Sequence, residues 1–253
     1  MTVHFLHIGK TGGTAIKSAL RDAGLAFIKP KNAHKFPETP YGRIQVHNHN
    51  FRMDDVPPGD HVIFFLRDPI SRMVSGFHSR LNKGQPRYLS EWTPDEQRAF
   101  EAFPTVQRLA AALASDDAAE RSLAGWAMKR IRHLGPMERF TGPPDRIGAR
   151  LDQVLHIGRQ ETLDADWRQI KRLLRLPAEL ELPTDPVAAH RGTRRDAPEL
   201  DDRAVAALHD WYARDYVLLE FCEQLRAKRG WGRPDSRLQR LRSRLPVGRL
   251  RRR

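Results

Sequence analysis

The chain has 253 residues, of which 40% are hydrophobic, enough for one large domain with a real core. No apolar stretch approaches the ~18 residues of a membrane-spanning helix, and the single cysteine, Cys222, excludes an intrachain disulfide. The formal net charge is +13, but residues 226–253 contain twelve Arg or Lys residues and one Asp, so they hold +11 of it and the charge says little about the rest of the chain.

The first predicted element is a strand over Val3–Ile8, followed by a loop rich in Gly, Lys and Thr and by a helix over Thr14–Asp22. Loop amides and a helix N-terminus together form an anion site, to which Lys10 adds a positive charge. The loop is not a Walker-type loop, because that pattern requires a glycine at position 4, where the chain has His4. The sequence therefore predicts a loop that binds a phosphate-bearing ligand through a different pattern.

Two further short strands are predicted over Leu25–Ile28 and Ile44–His47, separated by a loop over 30–43. The second strand leads into His47-Asn48-His49. Two histidines two residues apart on an extended segment suit proton transfer, a metal site or a plain surface loop. No cysteine or acidic residue lies nearby at metal-ligand spacing, so the sequence predicts no metal here.

A strongly apolar strand is predicted over His61–Leu66, and a helix follows it. Arg67 stands at the C-terminal end of this strand, the edge at which open parallel sheets bind ligands. Its guanidinium matches a phosphate group, and Ser75 lies two turns into the helix. Arg72, on the same helix, is predicted to have a structural role and to pair with an acidic residue such as Asp68.

Two motifs carry a family resemblance: Lys10-Thr11-Gly12-Gly13-Thr14 after the first strand, and Arg67-Asp68-Pro69-x-x-Arg72-x-x-Ser75 after the strand over His61–Leu66. Together they resemble the sulfotransferases that use 3′-phosphoadenosine 5′-phosphosulfate (PAPS). The chain looks most like the carbohydrate branch, which includes heparan sulfate 2-O-sulfotransferases and bacterial relatives. The resemblance covers residues 1–225, sharply at the two motifs and loosely elsewhere.

The resemblance implies that the first motif binds the 5′-phosphosulfate of the donor and that the second binds its 3′-phosphate. A basic loop over 190–195 is expected to close over the donor; solvated charge and contact with an anionic substrate are the alternatives there. Thr14 has the alternative role of a helix N-cap. The implied donor-binding residues are Lys10, Thr11, Gly12, Gly13, Thr14, Ala15, Arg67, Ser75 and Arg194.

The resemblance also assigns catalytic roles. His49 is the expected base that removes the acceptor proton, and His47 is a helper or a substrate contact. Lys10 is expected to stabilise the charge that grows on the leaving oxygen. Glu161, which ends a strand, is at least as readily structural as catalytic. From their alternation on the first strand, His4 and His7 are predicted to be buried histidines of the core, with ligand contact as the alternative for His7, which directly precedes the loop.

The rest of the chain is predicted to be mainly helical, with helices over Pro94–Phe103, Val106–Leu113, Ala118–Ile131, Ala165–Leu176 and Leu200–Arg229 and one more strand over Leu151–Gly158. These elements predict an α/β fold. A P-loop-type central parallel sheet is flanked by helices, with a helical middle segment and a basic C-terminal tail. The expected division is a sulfotransferase domain over 1–229 and a tail over 230–253.

The sequence thus predicts an enzyme that moves a sulfuryl group from PAPS to a carbohydrate or glycolipid hydroxyl and releases adenosine 3′,5′-bisphosphate (PAP), without a metal. The alternatives are an ATP-dependent P-loop kinase and a protein that binds anionic surfaces or nucleic acid through its tail. The tail suits an anionic membrane better than nucleic acid, and disordered solvated charge is its plain alternative. Because no signal-peptide pattern is visible, a cytoplasmic location is expected, peripheral at the membrane if the tail binds one.

Overall fold

A computed structural model describes residues 1–27, 39–86, 88–183 and 200–232. Its centre is a parallel sheet of five strands within these residues, in the order β2-β3-β1-β4-β5. The α/β prediction is therefore confirmed. The apolar runs of β1 and β4 are buried on both faces, as central parallel strands require. The strands are β1 (Thr2–Leu6), β2 (Ala26–Phe27), β3 (Arg43–Val46), β4 (His61–Leu66) and β5 (Val154–Arg159).

Helices cover both faces of the sheet and form the middle of the chain. Residues 53–55 and 160–162 add two short 3₁₀ turns. The α-helices of the described residues are α1 (Gly13–Asp22), α2 (Pro69–Leu81), α3 (Pro94–Ala102), α4 (Val106–Ala112), α5 (Ala118–Arg130), α6 (Glu138–Thr141), α7 (Pro144–Gly148), α8 (Leu163–Leu174), α9 (Asp202–Trp211) and α10 (Ala213–Arg229).

Three apolar clusters hold these layers together. One sheet face packs against α1 and α8, through side chains such as Phe5, Ile16 and Trp167. The opposite face packs against the segment 137–147 and α10, where Phe64 and Leu218 are buried. The third cluster lies beside the sheet and is formed by the helices α2, α3, α4, α5 and α9. Because β1 and β4 are adjacent parallel strands, their carboxyl ends, where the two motifs begin, lie at the same edge of the sheet.

The single long helix predicted over Leu200–Arg229 is wrong, because α9 ends at Trp211 and α10 begins at Ala213. Tyr212 stands between them, fully buried, and its hydroxyl donates a hydrogen bond of 2.5 Å to the carbonyl of Leu134. The apolar pattern of the sequence continues through this position and does not reveal the break. The predicted strand over Leu151–Gly158 begins later, at Val154, because residues 151–153 form a turn.

The C-terminal end of the described chain packs onto the body. Trp231 lies against the apolar cluster on the α10 face of the sheet, and the Gly232 amide donates a hydrogen bond of 2.8 Å to Gln169. The first residues of the predicted tail, Trp231 and Gly232, thus contact the rest of the described chain. Among the described residues, no helix is both long enough and apolar enough to span a membrane.

Candidate active site

The loop between β1 and α1 has an unusual backbone conformation. Lys10 and Gly12 both have left-handed backbone conformations, with φ of 69° and 89°. A side chain on Gly12 would be strained at this φ, and its Cβ would lie 3.1 Å from a methyl group of Leu163. Gly12 is the N-cap of α1, so the first amides of the helix are presented beside it. Thr14 lies inside the first turn, and its alternative role as N-cap is wrong.

A cavity of about 550 Å³ opens at this edge of the sheet. Six of the predicted donor-binding residues line it, together with the segment that follows β5. Lys10 of the first motif and Arg67 of the second motif are 57 residues apart in sequence. Both line this one cavity, as expected where neighbouring parallel strands end at the same edge of a sheet. The predicted residues of the lining are Lys10, Gly12, Thr14, Ala15, Arg67 and Ser75.

The chemistry of this lining fits a bisphosphate. Lys10 and Arg67 supply positive charge, Thr14 and Ser75 supply hydroxyl groups, and the start of α1 supplies backbone amides. Arg168 of α8 adds a further cation to the wall. Nothing in the sequence distinguishes Arg168 from the other charged residues of its helix, so sequence reasoning missed it.

Arg67 joins the two motifs directly, since its Nη1 donates a hydrogen bond of 3.3 Å to the carbonyl of Lys10. The next residue, Asp68, caps α2 by accepting a hydrogen bond of 2.7 Å from the Ser71 amide. Its other oxygen accepts one of 3.2 Å from the Tyr216 hydroxyl. Both oxygens of Asp68 are therefore used to hold the helix that carries Ser75.

Glu161 lines the cavity wall with its carboxylate already engaged. It accepts hydrogen bonds of 2.8 Å from the Asp68 amide and 2.8 Å from Arg159 Nε. Burial alone would raise the pKa of Glu161, but these bonds and the Arg159 charge hold that pKa below its usual value. The arrangement favours the structural one of the two roles considered for this residue.

Two other predicted donor residues, Thr11 and Gly13, are placed differently, and the third has no described position. The buried Thr11 hydroxyl donates a hydrogen bond of 2.9 Å to the carbonyl of Ile8, within the loop itself. Gly13 lies under the imidazole of His7, whose Cδ2 would be 2.8 Å from a Cβ at that position. Arg194 lies outside the described residues. For these three residues, contact with the donor stays a prediction.

Arg72 does not pair with Asp68, and that prediction is wrong. Its guanidinium, only 1% exposed, donates to three backbone carbonyls, those of Gly9 at 3.5 Å, His133 at 2.9 Å and Gly135. Asp68 is bonded instead to the Ser71 amide and the Tyr216 hydroxyl. Arg72 thus links Gly9, near the start of the loop between β1 and α1, to the segment that follows α5.

His49 lies beside the loop, with its tautomer fixed. Its Nδ1 is 2.9 Å from the carbonyl of His7, and because a carbonyl only accepts, Nδ1 carries the proton and Nε2 holds the lone pair. Burial lowers the pKa of His49 below 6.5, and the charges of Lys17 and Lys10 lower it further. The hydrogen bond to His7 raises this pKa but does not offset the decrease. The ring is therefore neutral at pH 7 and is able to take a proton.

His47 occupies a separate setting. Its Nε2 is 2.8 Å from His4 Nδ1, and His4 Nε2 is 3.1 Å from the carboxylate of Asp60. Its ring stacks on Phe51, with centroids 3.4 Å apart. Burial and the neighbouring His4 lower the pKa of His47 to about 4. His4 and His7 are buried, as predicted, but both are also tied to the two histidines of the His47-Asn48-His49 segment.

His133 is a neighbour of His49 that sequence reasoning missed. The two rings meet edge to face, with centroids 5.3 Å apart. Burial, with the nearby His49 and Lys10, lowers the pKa of His133 to about 3, so this ring is also neutral at pH 7. His133 lies in the turn that follows α5, far along the chain, where no sequence motif marks it. Within the described residues, no group of three or more His, Cys, Asp or Glu side chains is arranged as a metal site.

A family model and a solved structure show what this chain is similar to. The model of the sulfotransferase family matches residues 2–222. Among solved structures, a sulfotransferase from Alicyclobacillus acidocaldarius is similar over 88% of this chain and 94% of its own, with 15% identity and a TM-score of 0.45. These values are too low to transfer residue roles. Curated proteins give no match. Because the family model matches most of the length of this chain, the chain belongs to the sulfotransferase family.

Proposed function

We propose that this sulfotransferase moves a sulfuryl group from PAPS to a hydroxyl of a carbohydrate or glycolipid and releases PAP. One observation carries the proposal. The cavity is lined by Lys10, Arg67 and Ser75 and by the start of α1, and His49 donates a hydrogen bond to the carbonyl of His7, which comes just before the loop residue Lys10. The proposal takes this cavity as a donor site with two anion-binding ends and His49 as the base beside it.

The chain's residues then divide the work. When bound, the donor supplies an activated sulfuryl group on a phosphate leaving group. The acceptor oxygen forms the new bond to sulfur as the bond from sulfur to the phosphate oxygen breaks, and the acceptor proton passes to Nε2 of His49. Lys10 and the first amides of α1 stabilise the negative charge that grows on the leaving oxygen. Arg67 and Ser75 hold the 3′-phosphate and so fix the position of the donor.

The direct test is a screen of carbohydrate and glycolipid acceptors with PAPS that carries radiolabelled sulfate, followed by mass spectrometry of each labelled product. The proposal expects label in a hydroxyl-bearing acceptor and release of PAP in equal amount. Transfer to no carbohydrate or glycolipid, together with transfer to an acceptor of another class, would contradict the proposed acceptor while leaving the donor site in place.

The basic tail is proposed to tether the enzyme to an anionic membrane surface. The support is its charge, with leucines at helical spacing among the arginines, namely Leu238, Leu241 and Leu245. A protein truncated after Gly232 is expected to bind PAP normally but to lose sedimentation with anionic lipid vesicles at low salt. Added salt is expected to release the full-length protein from the vesicles, because screening weakens such attraction.

Vesicles of neutral lipid are the matched control for this experiment. If the full-length protein ignores anionic vesicles at low salt, the membrane proposal is wrong and the tail has another role. Normal PAP binding by the truncated protein separates this outcome from damage to the donor site.

A further inference from the structure

His133 occupies an unusual place between the two donor motifs. A Cβ built on Gly9 would lie 2.7 Å from its Nδ1, and one built on Gly76 would lie 3.2 Å from its Cβ. Gly9 precedes Lys10, and Gly76 follows Ser75. The side chain of His133 therefore packs next to both motifs at once, and a side chain at Gly9 would force it to shift.

The backbone of His133 is held in a conformation that non-glycine residues rarely adopt. Its φ is 73°, in the left-handed region, which costs free energy and persists only where the surroundings impose it. Here the buried guanidinium of Arg72 donates to the carbonyls of His133 and Gly135 on either side of Leu134. The same guanidinium reaches Gly9, so one buried side chain fixes His133 relative to the phosphate loop.

The imidazole that is placed in this way forms one wall of the His49 site. His7 lies on another side of the His49 ring, with centroids 4.3 Å apart, and its carbonyl accepts a hydrogen bond from Nδ1 of His49. His133 meets the ring edge to face from a second direction. Two ring contacts and one hydrogen bond thus restrict the orientation of His49, and with it the direction of Nε2.

We propose that His133 is a positioning residue for His49, which holds the His49 ring so that Nε2 faces the acceptor hydroxyl. This role rests on the proposed sulfuryl transfer, but the contact between the two rings is a property of the free protein. Because burial keeps His133 neutral, it adds no positive charge next to Lys10 and does not compete for the proton. The charged groups that face the two rings are Lys10 and Lys17 for His49, and Lys10, Arg72 and Arg80 for His133.

The test is His133→Asn, because asparagine tolerates the left-handed conformation while the ring is lost. We expect kcat to fall by about 10–100-fold, as a catalytic group loses its alignment, with PAP affinity unchanged. The NMR titration of the His49 ring is expected to move its pKa up towards 6.5, because water reaches a ring that was covered. Arg175→Asn is the matched control, since Arg175 is also left-handed, with φ of 53°, and lies at the end of α8.

His133→Gly serves as a second variant if the asparagine protein does not fold, since glycine adopts this conformation freely. An unchanged His49 titration together with an unchanged kcat would overturn the proposal. A kcat loss with a normal His49 titration would also overturn it, because His133 would then act on the substrate itself. Failure of the proposed function shows differently, as absence of transfer by the unaltered protein, while the shift in the His49 titration remains measurable.

Discussion

Replacement of His49 by alanine is expected to lower kcat by about 10²–10⁴-fold, the usual contribution of a general base. Nδ1 of His49 is committed to the carbonyl of His7, so the ring presents Nε2 as its proton acceptor. Alanine removes that lone pair and leaves the cavity lining intact, because His49 is not part of it. Steady-state kinetics with PAPS and an identified acceptor measure the loss, and calorimetry with PAP is expected to give an unchanged affinity.

His47→Ala is the matched comparison, because His47 lies two residues away and its ring is bonded to His4 and stacked on Phe51. A smaller loss is expected there. Full turnover by His49→Ala, combined with an inactive His47→Ala, would reverse the two roles. The unaltered enzyme should also lose activity on the acidic side below pH 6.5, since His49 must be neutral and its pKa is lowered from that value. His49→Ala should lack that loss.

Replacement of Lys10 by asparagine is expected to lower kcat by about 10²–10³-fold, the cost of losing one preorganised group that stabilises the developing charge. Asparagine tolerates the left-handed backbone that Lys10 adopts, so the loop keeps its shape while the charge is removed. The expected increase in KM for PAPS is smaller than the loss in kcat, because the ammonium interacts most strongly with the transition state.

Lys83→Asn is the control for this change. Lys83 is also a left-handed lysine, with φ of 50°, and it lies in the turn after α2 in an exposed ion pair with Glu91. Exposed ion pairs contribute little to stability, so the activity and folding of the Lys83→Asn protein should be unaltered. If Lys10→Asn raised KM and left kcat unchanged, Lys10 would bind donor and transition state equally and would not be catalytic in the proposed sense.

The sheet and the two motifs were predictable because local sequence determines them. Apolar runs without alternation indicate buried parallel strands, and β4 matches its predicted bounds at both ends. The break at Tyr212 was not predictable, since the pattern of apolar residues continues through it and only the hydrogen bond to Leu134 marks the position. Short helices such as α6 and α7 have too few residues to show a period.

Within the candidate site, the motifs identified six of the residues that line the cavity. They gave less information on the atoms that each side chain contacts. Arg72 was expected to pair with its neighbour Asp68, yet its partners are backbone carbonyls up to 63 residues away. His133 illustrates the same limit. Its position depends on Arg72 and on the space left by two glycines, and no local pattern encodes such a combination of distant contacts.

The most direct test of the donor site compares PAP with AMP by calorimetry. The two ligands differ only in the 3′-phosphate that Arg67 and Ser75 are proposed to hold. One charge-assisted hydrogen bond contributes about 1.5–3 kcal/mol, which is roughly a 10–150-fold difference in Kd. We therefore expect PAP to bind at least about tenfold more tightly than AMP, and Arg67→Ala to remove most of that difference. Equal affinity for PAP and AMP, or tighter binding of ATP than of PAP, would contradict the account.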